Sequence, residues 1–388
     1  MSVPRLSPLQ LMEKLISFPT VSRDSNLDLV DWVQNYLQDH GITAHRFYND
    51  AGDKAALFAH VGPMVEGGVV LSGHTDVVPV DGQAWTSDPW VVTERDGRYF
   101  GRGTCDMKGF DALALWALVE AQHMGVARPL QIALSFDEEV GCTGAPPMIE
   151  AMLQTLPKAS AVIVGEPSMM KAVSGHKGGI GITTTLVGHE VHSSLIHQGV
   201  NAIMFGAKLV DWANEVNAEN MARSPGPVAQ MFDPPFSSAH VGTIRGGTAE
   251  NITAKECHFI MGFRVLPDES MAEYEARYLA QVRAVEAQMQ AIHPDAHILT
   301  ERRFDVPGLA PEDDGEAEAL VRALTGDNAS HKVSYGTEAG QFQERGYSAV
   351  ICGPGNIDQA HQADEYISVA QFQAGHAFMQ KLLERLAQ

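Results

Sequence analysis

Cysteine is scarce in this chain. It occurs four times in 388 residues, at positions 105, 142, 257 and 352, and never as a Cys-x-x-Cys pair. That spacing supports neither a thiolate zinc site nor a disulfide framework. Basic residues are also few: 27 Lys and Arg stand against 48 Asp and Glu, for a formal net charge of −21. Such an excess of acid argues against a nucleic-acid backbone or an anionic membrane surface as partner. No apolar run reaches 18 residues, so a membrane-spanning helix is not expected. The first 18 residues contain Pro4, Pro8, Glu13 and Lys14 and match a signal peptide poorly. Repeats and low-complexity tracts are missing as well. Disorder is excluded by a hydrophobic fraction of 45%, enough for a large core. The expectation is a reduced, soluble, cytoplasmic protein with no nucleic-acid or membrane partner.

What is present is an alternation of apolar runs and helical patterns. Ser7-Pro8-Leu9-Gln10 reads as a capping box that opens a helix, with proline at its first position. Leu29, Val30, Val33 and Leu37 form a second helical stripe, closed by Gly41. Four near-continuous apolar runs, at 69–71, 132–136, 161–164 and 349–351, have the composition of strands buried on both faces. Helical patterns such as 112–121 lie between them. This is an α/β signature with a mostly parallel sheet.

The middle of the chain reads differently. A Thr-rich alternating strand (181–187), an amphipathic helix (201–216), two strands (240–245 and 257–266), a long helix (269–293) and a last strand (296–304) follow in order. The order β-α-β-β-α-β predicts a small α+β, ferredoxin-like sandwich. Inserted at residues 180–305, it divides the α/β domain into 1–179 and 306–388.

Polar residues follow directly after the four buried runs, and open α/β sheets bind ligands beyond the carboxyl ends of their strands. Gly73-His74-Thr75-Asp76 ends the first run, and Asp76 stands where a carboxylate can return to orient the imidazole of His74. Asp137-Glu138-Glu139 ends the second, and three adjacent acids there are costly unless a cation compensates them. Gly165-Glu166-Pro167 ends the third, and His361, Asp364 and Glu365 follow the fourth. Gly101 to Gly109 has neither P-loop nor dinucleotide spacing, and its glycines let the backbone bring Asp106 close to another group. Two histidines with at least three carboxylates make a mixed N/O donor set suited to zinc, cobalt or manganese. Five ligands suit two metals about 3.5–4 Å apart that share a carboxylate and a water.

Gly73-His74-Thr75-Asp76-Val77-Val78-Pro79, Gly103-Thr104-Cys105-Asp106-Met107-Lys108-Gly109, Asp137-Glu138-Glu139-Val140-Gly141, Gly165-Glu166-Pro167 and Ala360-His361-Gln362-Ala363-Asp364-Glu365-Tyr366 resemble the motifs of the co-catalytic zinc amidohydrolase family. The resemblance spans nearly the whole chain. It implies two divalent ions per chain, zinc first, with cobalt or manganese as alternatives. His74 and Glu166 would hold one ion, Glu139 and His361 the other, and Asp106 would bridge them. Asp76 would support His74, and Glu138 would be the general base. The family's cis peptide after the bridging aspartate would fall at Asp106-Met107. The inserted domain would act as lid and homodimer interface. Gly188-His189-Glu190-Val191-His192-Ser193-Ser194 resembles the motif whose histidine, here His192, stabilises the oxyanion in a neighbouring subunit's site. Asn251 and Arg264 match the family's substrate-carboxylate binders.

The implied reaction is hydrolysis of the amide of a small-molecule N-acyl amino acid. Gly336-Thr337-Glu338-Ala339-Gly340-Gln341-Phe342 and Gly353-Pro354-Gly355 most resemble the branch of that family that acts on N-acetylornithine, and Glu338 is then expected to meet the substrate's ammonium group. A broader N-acyl-amino-acid deacylase and a desuccinylase are the alternatives. A non-catalytic metal- or substrate-binding homologue is the rival outside enzymology, and the complete acid set speaks against it.

Overall fold

In the computed structural model, residues 4–388 are described. The signal-peptide reading falls partly on residues 1–3, which lie outside the described residues. Ser7 caps the helix Pro8–Ile16 as its sequence predicts: its side chain accepts from the Gln10 amide, and the Gln10 side chain accepts from the Ser7 amide. The helix Leu27–Asp39 buries Leu29, Val30, Val33 and Leu37, and Gly41 follows it at φ 76°. No helix among the described residues is long and apolar enough to cross a membrane.

The chain forms two compact units. One runs to Gly175 and resumes over Pro311–His331 and Thr337–Gln388; the other comprises His176–Ala310 and Lys332–Gly336.

The first unit is built on an eight-stranded sheet. Its first six strands lie in the order Ala44–Tyr48, Ala55–Val61, Leu130–Ser135, Val69–His74, Ala161–Pro167, Ser348–Gly353. The last four of these contain the four apolar runs, and each is parallel to its neighbour. The fold class expected from the sequence is therefore the one observed. Alternation explains why these runs are apolar throughout. Leu57, Leu71, Ile132, Leu134, Ile163 and Val350 join one core with the helices Pro8–Ile16, Leu27–Asp39, Lys108–Met124, Glu316–Thr325 and Val369–Leu386. Their neighbours Phe58, Val70, Ala133, Val162 and Ile351 point the other way and are buried too. The helix Lys108–Met124 is buried around most of its circumference, which suits its largely apolar sequence.

The second unit has a four-stranded antiparallel sheet in the order Ser238–Gly246, Glu256–Val265, Gly178–Val187, His297–Val306. One face is covered by the helices Ala202–Ala222 and Met271–Gln290. Glu256–Val265 alternates buried and more open residues, as a sheet with one packed face requires. Tyr274, Tyr278, Val282, Val285 and Met289 recur every three or four residues and form the buried stripe of the long helix.

Close helix-to-sheet approach in the first unit depends on glycine at position 165. A Cβ there would stand 2.1 Å from ring carbons of Phe110 on the helix Lys108–Met124. Gly165→Ala is therefore expected to destabilise the protein by about 1–3 kcal/mol, the usual range for overpacking a filled core. A shift of the urea unfolding midpoint measures this, and an unchanged midpoint would contradict the packing described.

Candidate metal centre

The parallel register of the four central strands puts their carboxyl ends on one edge. His74 is the last residue of Val69–His74, Glu138 and Glu139 follow Leu130–Ser135, Glu166 lies at the end of Ala161–Pro167, and His361 lies beyond Ser348–Gly353. Asp106 arrives on the loop before the helix Lys108–Met124. The peptide bond between Asp106 and Met107 is cis, as the family resemblance implies.

Asp106 stands at the middle of this group. Its Oδ1 lies 3.2 Å from His74 Nε2 and its Oδ2 lies 3.2 Å from His361 Nε2. His361 Nε2 also lies 2.9 Å from Glu139 Oε2, and His74 Nε2 lies 3.6 Å from Glu166 Oε1. Donor atoms of His74, Asp106 and Glu139 all fall within 4.8 Å of one another, as do those of His74, Glu138 and Glu166. The structure thus brings together all five residues expected as metal ligands, with Glu138 beside them.

The support of His74 differs in detail from the sequence expectation. Its Nδ1 donates to the main-chain carbonyl of Asp76 at 2.9 Å. The Asp76 carboxylate is 3.6 Å from that nitrogen, an ion-pair distance beyond hydrogen-bond length. That carboxylate instead accepts from Ser22 Oγ at 2.6 Å and from the amides of Glu138 and Glu139 at 3.1 and 3.4 Å. Asp76 therefore ties the loop carrying both glutamates to the strand carrying His74. The Cys142 thiol donates to Glu138 Oε1 at 3.3 Å, a contact that sequence reasoning missed.

The electrostatics follow from burial. Asp106 and Glu166 are 5% and 4% exposed, and no lysine or arginine among the described residues pairs with Asp106, Glu138, Glu139 or Glu166. Burial pushes Glu138 up to about 7 and Glu139 up to about 8, and it carries Glu166 well above the usual carboxylate range. Burial also acts on Asp106, but hydrogen bonds from His361 and His74 outweigh it and hold this carboxylate well below its ordinary value. Contacts with Asp106 and Glu139 raise the His361 imidazole to about 10. Burial disfavours a charged His74, yet its bond to Asp106 takes it well above the ordinary value.

These residues fit divalent cations. Imidazole and carboxylate donors converge from five chain segments, and Glu139 Oε1 is buried without any hydrogen-bond partner. Without a cation the acids are compensated only by protons.

The remaining predicted residues have different settings. Glu338 belongs to the first unit and is 1% exposed. The Ser135 hydroxyl donates to its Oε1, its Oε2 has no partner, and burial pushes it up to about 8. Glu338 is thus a buried carboxyl held by Ser135, the last residue of the strand that leads into the acidic loop. His192, Asn251 and Arg264 lie in the second unit, and all three are exposed. The backbone joins the first two: the Ser193 amide donates to the Asn251 carbonyl at 2.9 Å, and His192 pairs with Ile252 in a β-bridge. Arg264 lies on Glu256–Val265, opposite Gly179 of the adjacent strand. His192 Nδ1 accepts from the Ser194 amide at 3.3 Å, which leaves the proton of the neutral ring on Nε2.

A polar cluster of this composition at the carboxyl edge of a parallel sheet, with one buried acid poised near neutrality, defines a metal-binding hydrolase site. Residues 70–385 match the family profile described as Peptidase family M20/M25/M40. Acetylornithine deacetylase of Myxococcus xanthus is 36% identical over 371 residues, covering 92% of each chain. Acetylornithine deacetylase of Pasteurella multocida is 29% identical over 388 residues, covering 97% of each. Among solved structures, an M20 family metallo-carboxypeptidase from Sulfolobus solfataricus superimposes with a TM-score of 0.80 at 15% identity, over 98% of this chain and 99% of that one. This chain belongs to peptidase family M20/M25/M40, and it is a hydrolase.

The protons that occupy the site must leave when metal enters. Metal affinity is therefore expected to rise as pH increases from 6 towards 8, through the raised values of Glu138 and Glu139. Calorimetric zinc titrations at pH 7 in buffers of different ionisation enthalpy should show a net release of about one proton or more per chain. Zinc binding without proton release would contradict this electrostatic description.

Proposed function

We infer that this chain hydrolyses the amide bond of an N-acyl amino acid, and that its substrate is N-acetylornithine, cleaved to ornithine and acetate in arginine biosynthesis. The observation that carries the inference is the Asp106 carboxylate with one oxygen facing His74 and the other facing His361, which is how a carboxylate shared by two cations is disposed. The two curated relatives described above bear the name of this activity. His74 and Glu166 would hold one ion and Glu139 and His361 the other, with Asp106 shared between them. Zinc suits the mixed imidazole and carboxylate donors best, with cobalt or manganese as substitutes. When bound, such ions lower the pKa of water and polarise the amide oxygen.

The protein's own groups do the rest. Glu138 takes the proton of the attacking water and returns it to the departing nitrogen. Its place beside the ligand cluster supports that task. The Cys142 thiol restrains the carboxyl from one side. His192 offers its Nε2 proton to the oxyanion that develops in a neighbouring subunit's site. Arg264 and Asn251 bind the substrate carboxylate, the guanidinium by a bidentate pair. The second unit serves as lid and dimer interface. A cytoplasmic setting is consistent with four cysteines that are all free.

Glu138→Ala is expected to lower the deacetylation rate by roughly 10²–10⁴-fold while the metal content stays at the wild-type level. Near-normal turnover with full metal would remove Glu138 from its role as base. Glu338, as the acid that meets the substrate's ammonium group, is tested by Glu338→Gln, which is expected to reduce kcat/KM for N-acetylornithine more than for N-acetylmethionine. Equal losses would remove Glu338 from that role.

A further inference from the structure

Behind Asp106 and His361 lies a polar layer that the proposed chemistry does not use. Glu365 is completely buried. Its Oε1 accepts from three backbone amides, those of Gly103, Cys105 and Asp106, at 3.0, 2.9 and 3.0 Å. Its carbonyl accepts from the Gly101 amide at 3.0 Å. Successive amides can converge on one oxygen because the loop turns through Gly103 at φ 86°. The other carboxylate oxygen accepts from Arg102 Nη1 at 2.6 Å, and Arg102 is also fully buried. Arg102 Nη2 donates to Gln83 Oε1 at 2.6 Å, and Trp85 Nε1 donates to the same oxygen at 3.1 Å. Gln83 Nε2 then donates to the main-chain carbonyl of His361 at 3.0 Å. A continuous chain of hydrogen bonds therefore runs from the Asp106 amide through Glu365, Arg102 and Gln83 to the backbone of His361.

The two histidines need different support. His74 is 1% exposed, ends a central strand, and has its ring fixed by the Asp76 carbonyl. His361 has a side chain 52% exposed and a backbone at φ 63°, in a loop where Asp364 also sits at φ 55°. A non-glycine residue stays in that left-handed region only where its surroundings hold it. Gln83 grips the loop at the His361 carbonyl, and Thr86 grips it at the Asp364 carboxylate through amide and hydroxyl at 2.8 and 2.9 Å. A buried ion pair such as Arg102–Glu365 is weak evidence of stability in itself. Here it connects the loop of one ligand to the loop of another.

We propose that Gln83, anchored by the Arg102–Glu365 pair, is a positioning residue that holds His361 against Asp106, so that it sets the affinity of the ion bound by Glu139 and His361 without setting that of the ion bound by His74 and Glu166. This rests on the two-ion reading above. Supports behind metal ligands typically govern 10–100-fold in affinity.

Gln83→Glu tests it, because the new carboxylate can still accept from Arg102 and Trp85 but cannot donate to the His361 carbonyl. Gln83→Met, which removes both contacts, is the second variant. Chelator-stripped wild type and variants are titrated with zinc(II) by calorimetry, and cobalt(II) spectra are recorded at one and two equivalents. The wild type is expected to bind in two steps. Each variant should keep one step within about twofold, weaken the other at least tenfold, and change the cobalt spectrum of one site only. Two unchanged steps, or two steps weakened by the same factor, would overturn the positioning role. A wild type that binds no zinc would overturn the two-ion reading, and this role with it.

Discussion

Four buried carboxyl groups face one another at one edge of a parallel sheet, and no lysine or arginine among the described residues pairs with them. The rest of the first unit is arranged around that repulsion. Asp106, Glu138, Glu139 and Glu166 are brought together by strand ends that hydrophobic burial on both faces holds in register. Such a grouping persists only if protons or cations share the space. In the metal-free protein the proton load shows as raised values on Glu138 and Glu139 and on His361. Divalent ions would supply the same compensation and leave the carboxylates ionised for ligation.

Acids that repel need rigid support. Asp76 accepts from both glutamate amides, and Glu365 gathers three amides of the Asp106 loop. Each is a buried carboxylate satisfied mainly by backbone donors, and each fixes a loop from behind. Glycine makes the approach possible: Gly103 lets the loop turn, and Gly165 lets the helix Lys108–Met124 lie against the strand carrying Glu166. The ligands are thus held by the frame rather than by one another.

Much of this was legible in the sequence. The four central strands declared themselves because a strand covered on both faces has no polar side to interrupt it. The capping box at Ser7 and the strand-helix order of the second unit were local patterns, and local patterns survive folding when tertiary packing agrees with them. The convergence of His74, Glu139, Glu166 and His361 was legible from their places after the buried runs, whereas the sharing of ions through Asp106 was implied by the family resemblance. What sequence reasoning missed lies in long-range contacts between polar groups. Glu365 follows the fourth buried run in the sequence, but its amide partners lie some 260 residues upstream and no local pattern joins them. The bond from Ser135 to Glu338 is of the same kind, between positions 203 residues apart. Asp76 supports His74 through its carbonyl, and side-chain chemistry does not announce a main-chain contact.

The account depends most on Asp106 lying between two ions. Electron paramagnetic resonance of the protein loaded with two manganese(II) ions per chain tests this directly. Two ions that share a carboxylate are exchange-coupled, so the account predicts a multiline coupled spectrum that Asp106→Ala abolishes. A simple six-line signal from isolated ions at full loading of the wild type would contradict it.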